Sequence, residues 1–304
     1  MVALLLVALL LAAPAAAGPS APPRVVAKIK TRGFQPCAQT SGFGAIWVSN
    51  FASNTVVRIN PKTNRVVGRA IKVGNRPCGL AAGFGSIWVD GFGSNTIERI
   101  DPRTRKVIKR IRVGRAPFDV LVAAGSVWST DNGSAQVSRI DPATNRVVAR
   151  IKTPGGAPAG LQYAAGSVWV GSNQGTSIFR IDPATNQVTP IDTGATTPAW
   201  LAGNDQAVWV SHVQAQTVSR VNPVTNRVVA TVQVGLSPVD GVVGPDGLVW
   251  IPNQADSTVS RIDPATNRVV DTRPVGSGPF VLTVAYGDVW ACSFQGDDIW
   301  RLRP

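Results

Sequence analysis

Apolar and polar positions alternate with a period of two in short runs along the chain. Arg146-Val147-Val148-Ala149-Arg150-Ile151 is one example, and this is the pattern of half-buried β-strands. From residue 24 onward no run of helical length keeps a 3.6-residue period. The strand runs recur. Seven of the nine Trp stand at 47, 88, 128, 169, 209, 250 and 290, at intervals of 40 or 41 residues. Self-similarity at that period marks propeller blades or a solenoid. Each Trp closes a G-x-[IV]-W or related run, as in Gly44-Ala45-Ile46-Trp47. About eleven residues later comes Arg (58, 99, 139, 180, 220, 261, 301), followed by an aliphatic residue and a turn such as Asp141-Pro142-Ala143-Thr144-Asn145. There the Asp side chain can bond its own backbone and Pro presets φ. A Val-rich strand follows, and a Gly-x-x-Pro connection opens the next unit. One unit therefore reads as four short strands.

The two ends of the chain complete one another. The seventh unit stops at Arg303-Pro304, before its Val-rich strand, and Arg24-Val25-Val26-Ala27-Lys28-Ile29 at the other end matches Arg146 to Ile151 nearly residue for residue. The expected fold is all-β: a seven-bladed β-propeller over residues 24–304, with four antiparallel strands per blade and the N-terminal strand closing the last blade. A solenoid would need capping repeats instead.

Composition narrows the chemistry. The 304 residues include one His, His212, and one Glu, Glu98. A site with two imidazoles or a Glu pair is excluded, and carboxylate pairs must be built from Asp. Three Cys (Cys37, Cys78, Cys292) permit at most one disulfide, and none lies in a C-x-x-C pair. No phosphate-binding G-rich motif stands in a strand–helix setting, and no motif specifies a cofactor. Residues Val2 to Ala13 form an apolar run too short to span a bilayer. With Ala15 and Ala17 behind it, the run reads as a signal peptide cut after Ala17, and residues 18–23 as a Pro-rich linker. The expected location is secreted or associated with the cell envelope, with no lipid anchor and no transmembrane segment.

The repeat residues Trp47-Val48-Ser49-Asn50, Thr55-Val56-Val57-Arg58-Ile59-Asn60, Thr63-Asn64-Arg65-Val66-Val67 and Val73-Gly74 resemble those of the YVTN-repeat β-propeller family, in all seven units. The resemblance implies an exported or surface-exposed propeller and little about activity. A more distant likeness is to virginiamycin B lyase-type propellers, whose site depends on paired His with a Glu and a metal. One His and one Glu cannot supply it, so no catalytic residue carries over.

Departures from the repeat mark candidate sites. The register Trp and Arg are read as structural, the Arg as partners of the turn carboxylates Asp101, Asp141, Asp182 and Asp263. The channel-mouth face collects the loops after the Trp strands, among them Asn50, His212 and Asn253, and the connections bearing Phe34, Arg76, Arg115, Phe118, Trp200 and Phe280. Such a rim suits a peptide, glycan or small organic ligand, or else the amides satisfy turns and Phe118 and Phe280 plug the core. Two residues after the Pro of each inner strand the unit has a small residue by default. Asp119, Trp200 and Asp240 break that rule. Asp119 and Asp240 would face each other across the channel, as solvated carboxylates or as ligands of a hydrated cation. His212 reads as a polar loop residue, with a lone general base as the alternative.

The formal net charge is +13, but residues 24–152 carry 22 basic and 6 acidic side chains whereas residues 153–304 carry 8 and 11. Beyond the repeat template, Lys28, Lys30, Arg32, Arg69, Lys72, Lys109, Arg110, Arg112, Arg150 and Lys152 fall on the outer strands of four consecutive blades. They predict a basic half-belt that could contact an anionic polymer. The first reading of function is a monomeric, secreted, non-enzymatic binding propeller for a peptide, glycan or cell-envelope component. The alternatives are a metal-assisted lyase- or hydrolase-like enzyme and an electrostatic adhesin. Nucleic acid is disfavoured, because no recognition module is visible.

Overall fold

The computed structural model describes residues 22–304; the expected signal peptide and most of the linker lie outside them. Seven antiparallel sheets follow one another along the chain, each ordered from an inner strand through the Trp strand and the Arg strand to an outer strand. Blade three is typical, with Pro117–Ala123, Ser126–Asp131, Gln136–Asp141 and Arg146–Lys152. In blade seven the outer position is taken by Arg24–Lys30, paired antiparallel to Asp298–Arg303. The first strand thus completes the last blade, as the terminal residues predict.

The period-two pattern sets what each strand buries. The Trp strands are buried along their whole length, whereas outer strands such as Arg146–Lys152 alternate exposed and covered residues. Every register Trp is at most 1% exposed. Trp128 packs on Leu161, Val168 and Val170 of the next blade, and its indole N–H donates to Ala123 O at 3.0 Å. Trp47, Trp88, Trp169 and Trp290 donate to the equivalent carbonyls at 3.0–3.1 Å. Truncating one such side chain costs about 3–5 kcal/mol.

Each register Arg lies directly opposite its Trp in the ladder, so both point at the next blade. Arg139 stacks on Trp128 with Cζ 4.9 Å from the ring centre. It donates to Pro183 O at 2.6 Å and Asn186 Oδ1 at 3.0 Å, both in the turn of the following blade. Arg99, Arg180, Arg220 and Arg301 make the same two bonds to Pro142 and Asn145, Pro223 and Asn226, Pro264 and Asn267, and Pro61 and Asn64. The carboxylates expected as acceptors are used elsewhere. Asp141 accepts from Ala143 N at 2.8 Å and Thr144 Oγ1 at 2.7 Å within its own turn, and these bonds hold its carboxyl below the usual range. The local Asx turn is satisfied within a few residues and leaves the Asp no reach toward the blade before it.

Two registers depart from the rule, each for a legible reason. Blade seven has no such turn, because its outer strand is supplied by Arg24–Lys30, and Arg261 of blade six finds carboxylates instead. It donates to Asp271 at 2.8 and 2.6 Å and to Asp246 at 3.2 Å, and Asp246 also accepts from the Trp250 indole. In blade two, Arg105 stands where the other turns have Asn, so Arg58 of blade one lacks that acceptor.

A second position bolts the blades. The last residue of each Trp strand and the residue seven places later lie on the same face of the ladder, and Asp131–Ser138, His212–Ser219 and Asn253–Ser260 are hydrogen-bonded there at 2.6, 2.9 and 2.9 Å. The pairs are Asn50 with Val57, Gly91 with Glu98, Asp131 with Ser138, Ser172 with Phe179, His212 with Ser219, Asn253 with Ser260 and Ser293 with Trp300. In every pair but Asn50–Val57 a larger residue at one position is matched by a smaller one at the other, as close packing requires. The connection closes over the slot so tightly that a Cβ at Gly114 would strike the Asp131 carboxylate and one at Gly235 the Asn253 amide, which explains the Gly of the Gly-x-x-Pro connections.

The Arg261 cluster is the seam of the ring. Removing its bidentate partner with Asp271→Ala should cost about 3–5 kcal/mol, the scale of a broken buried pair. Urea unfolding measures it, and a loss below about 1 kcal/mol would show that the seam does not need this pair.

Candidate functional site

The inner strands converge on the channel, and its mouth is filled by aromatic side chains. Phe118, Trp200 and Phe280 form the inner group, with ring centres 5.3 Å apart for Phe118–Trp200 and 5.0 Å for Trp200–Phe280. Phe51, Phe92 and Phe294 surround them at 5.8–6.4 Å from ring to ring. Trp200 and Phe280 are buried, and the others are partly exposed. The mouth is therefore an aromatic floor, not an open pore. Arg76 and Arg115 are exposed at its rim, and the Arg76 guanidinium lies 5.9 Å from the centre of the Phe51 ring. Gln35, Phe51, Ala52, Asn54, Asn75 and Arg76 border a shallow depression of about 260 Å³ on this face.

A disulfide fixes the same region. Cys37 and Cys78, in register on the inner strands of blades one and two, are bonded with their Cα atoms 5.0 Å apart. Neighbouring inner strands do come close enough at this end of the channel. Cys292 remains a buried thiol against Gln39 Oε1.

Asn50, His212 and Asn253, expected on the rim, are not there. Each is the last residue of its Trp strand and is fully buried in the inter-blade slot. Asn253 accepts from Gly235 N at 3.1 Å and donates to Thr258 Oγ1 and Ser260 Oγ at 2.9 Å each. His212 Nε2 shares a hydrogen bond with Ser219 Oγ at 2.9 Å, and burial lowers its pKa. The ladder extends to this residue, so strand alternation turns its side chain between the blades and away from the rim.

The channel carboxyls do come together. Asp119 accepts from Val120 N and from Leu161 N of blade four, both at 2.7 Å. Asp240 takes a backbone N–H from Leu201 of blade five. The two therefore lean toward each other from blades three and six, over blades four and five. Burial raises Asp119 to about 7, and raises Asp240 well above the ordinary value with help from the Asp119 charge. Sequence reasoning missed a third carboxyl, Asp90, which is fully buried. It accepts from Cys78 N at 2.6 Å and Gly79 N at 3.0 Å, and burial, with a smaller contribution from Asp119, raises it too. Its signal was present in the repeat, since Asp90 replaces the hydroxyl that Ser49, Thr130 and Ser211 supply two residues after the Trp. No group of three or more His, Cys, Asp or Glu among the described residues is arranged to hold a metal ion.

The ten half-belt residues are all exposed, on or beside the outer strands. Lys30 pairs with Asp298 at 3.3 Å and Arg110 with Glu98 at 2.8 Å. No helix among the described residues is long and apolar enough to cross a membrane.

The fold places the chain among known propellers. Over 93% of this chain and all of that one, it superposes on virginiamycin B lyase from Staphylococcus aureus with a TM-score of 0.81 at 17% identity. A structure described as streptogramin B lyase matches 89% of this chain and 94% of its own, with a TM-score of 0.78 and 18% identity. The WD40 propeller domain of Doa1 matches 92% and 96%, with a TM-score of 0.78 and 10% identity. These likenesses concern the fold. No protein-family model and no curated protein matches the sequence, so the resemblance to YVTN-repeat propellers rests on the repeat residues alone.

The raised carboxyls fix a pH dependence. Folded Asp119 keeps a proton that the unfolded chain releases above about pH 4, so its contribution is complete below that pH and is lost as pH rises through about 7. Relative to the parent, Asp119→Asn should gain melting temperature as pH rises from 4 to 8. Parallel curves for the two proteins would show that Asp119 is not held protonated.

Proposed function

We propose that the protein is an exported, non-enzymatic binding propeller whose channel-mouth face receives a peptide, glycan or other cell-envelope component. The observation that carries this reading is the aromatic floor of Phe51, Phe92, Phe118 and Phe294, backed by Trp200 and Phe280 and edged by Arg76 and Arg115. Aromatic rings beside guanidinium groups are favoured at recognition surfaces. The floor is held rigid by the Cys37–Cys78 bond and by the bolted slots, which lowers the entropic cost of binding. The same bond supports export, since disulfides persist in oxidising compartments.

The lyase fold neighbours raise the alternative of catalysis. Against it stands the placement of His212. The one imidazole of the chain is 0% exposed and bonded to Ser219 between two blades, where no substrate on the channel-mouth face reaches it. A general base has to lie within hydrogen-bond reach of the proton it removes.

The test is retention of the mature protein on a cell-envelope fraction at low and high salt. Retention at high salt is expected, because the aromatic contact is screened little, and Arg76→Ala combined with Phe92→Ala should weaken it about tenfold or more. Loss of the parent's retention at high salt would instead favour the charged outer rim.

A further inference from the structure

The face opposite the channel mouth carries a second departure from the repeat, on different blades. The turn between the inner and Trp strands lies there, and its first residue adopts positive φ in five blades. In blades three and four it is Ala124 and Ala165, both with φ 46°. In blades seven, one and two, which are consecutive, it is Tyr286, Phe43 and Phe84, with φ 53°, 52° and 50°. These rings are 49%, 49% and 42% exposed. A bulky side chain in the left-handed region is disfavoured, and exposed apolar surface adds nothing to folding. Neither the turn nor the core asks for an aromatic at these positions.

The same blades carry cations beside the rings. In blade one Lys62 occupies the turn after the Arg strand, and Tyr286 of blade seven lies across a groove from Asn60, Pro61 and Lys62, a space of about 680 Å³. In blade two that turn has Arg103 and Arg105, both exposed. Arg105 displaces the Asn that clasps the preceding blade elsewhere, and it lies so close over blade one that a Cβ at Gly68 would strike its guanidinium. Arg58, which points into this junction, makes no hydrogen bond or ion pair with the described residues, and its Cζ lies 6.0 Å from the centre of the Trp47 ring. Its five counterparts in blades two, three, four, five and seven each hold a turn carbonyl and an Asn. One junction of the ring thus gathers Arg58, Arg103 and Arg105, and by the repeat Phe43 stands to the blade-two turn as Tyr286 stands to the blade-one turn. The nearby carboxylates are engaged, Asp101 by its own turn at 2.8 Å and Asp288 by Arg301 and Arg303.

We propose that this face, over blades seven, one and two, binds an acidic polysaccharide. The rings of Tyr286, Phe43 and Phe84 would lie against sugar units, and Lys62, Arg58, Arg103 and Arg105 would pair with the acid groups, bidentately for the guanidiniums. Rings that bury about half their surface against the protein make platforms. Insertion into a bilayer needs apolar side chains standing proud of the surface, and a groove between two turns suits a chain and not a flat membrane. Single-stranded nucleic acid would use a similar mixture of rings and cations, but the Cys37–Cys78 bond points to an oxidising compartment where that partner is not the expected one. The half-belt of blades seven to three borders the site and would extend the attraction to a long polymer.

The experiment measures binding of the mature protein to polygalacturonate and heparin, with uncharged dextran, oligo(dT) and phosphatidylglycerol vesicles alongside, for the parent, Arg105→Asn and Phe43→Ala. Binding to at least one acidic polysaccharide and not to dextran is expected. Arg105→Asn should weaken it about tenfold while leaving the melting temperature unchanged or higher, because the new amide gives Arg58 the clasp that its counterparts have. Phe43→Ala should weaken it too, with a normal melting temperature. Three results would overturn the proposal: binding to neither acidic polysaccharide, tighter binding to oligo(dT) or vesicles, or polysaccharide binding that both variants leave unchanged. A failure of the envelope retention expected of the channel-mouth face has no bearing on this result, since the two faces share no residue.

Discussion

The ring is held by one repeated contact, the clasp in which an Arg stacked on a buried Trp reaches across to the next blade and takes a turn carbonyl and an Asn side chain. A propeller has no single core. Its sheets meet pairwise, as the separate hydrophobic clusters between neighbouring blades make plain, so each junction must be specified on its own. Trp supplies apolar area at each junction and Arg supplies direction. The planar fork can bond a carbonyl and an amide at once while its flat face rests on the indole. The Asn of the turn is needed for two reasons, because it tolerates the positive φ at that position and because its Oδ1 receives the Arg. At Asn145, φ is 58° and Arg99 donates at 2.9 Å.

Where the clasp cannot form, the chain compensates or leaves an opening. At the seam it compensates with Asp246 and Asp271. In the adjoining junction on the other side of blade seven the clasp is intact, through Arg301 to Pro61 and Asn64. Between blades one and two Arg105 leaves the opening, on the side where the exposed rings and the excess positive charge also lie. The charge asymmetry of the sequence is in this sense not a solubility feature; part of it displaces a structural residue.

The seven-fold periodicity, the strand order and the closure by residues 24–30 were legible in the sequence, because Trp, Arg and Pro recur at fixed spacing and the N-terminal strand copies Arg146 to Ile151. The partners of the Arg were not. Sequence spacing shows the Asp nearest along the chain, whereas strand alternation aims the Arg at a turn about 45 residues away. The same limit explains Asn50, His212 and Asn253. Their amide and imidazole chemistry suited a rim, but one further residue of ladder turned them into the inter-blade slot. Asp119 and Asp240 were found as departures from a small-residue rule and do converge. Asp90 escapes that rule because it sits in a Trp strand, Ser86–Gly91, and not at the inner-strand position where the departures are sought.

The clasp can be measured against itself, because the ring contains the same Arg with and without its acceptors. Arg139 and Arg58 occupy the same register, opposite Trp128 and Trp47, and differ in what they reach. Urea unfolding of Arg139→Ala and Arg58→Ala gives the comparison. A loss of about 2–3 kcal/mol is expected for Arg139→Ala, which removes charged hydrogen bonds and a stacked cation, and of less than about 1 kcal/mol for Arg58→Ala. Equal losses at the two positions would mean that packing on the Trp, and not the reach to the next blade, holds the ring together.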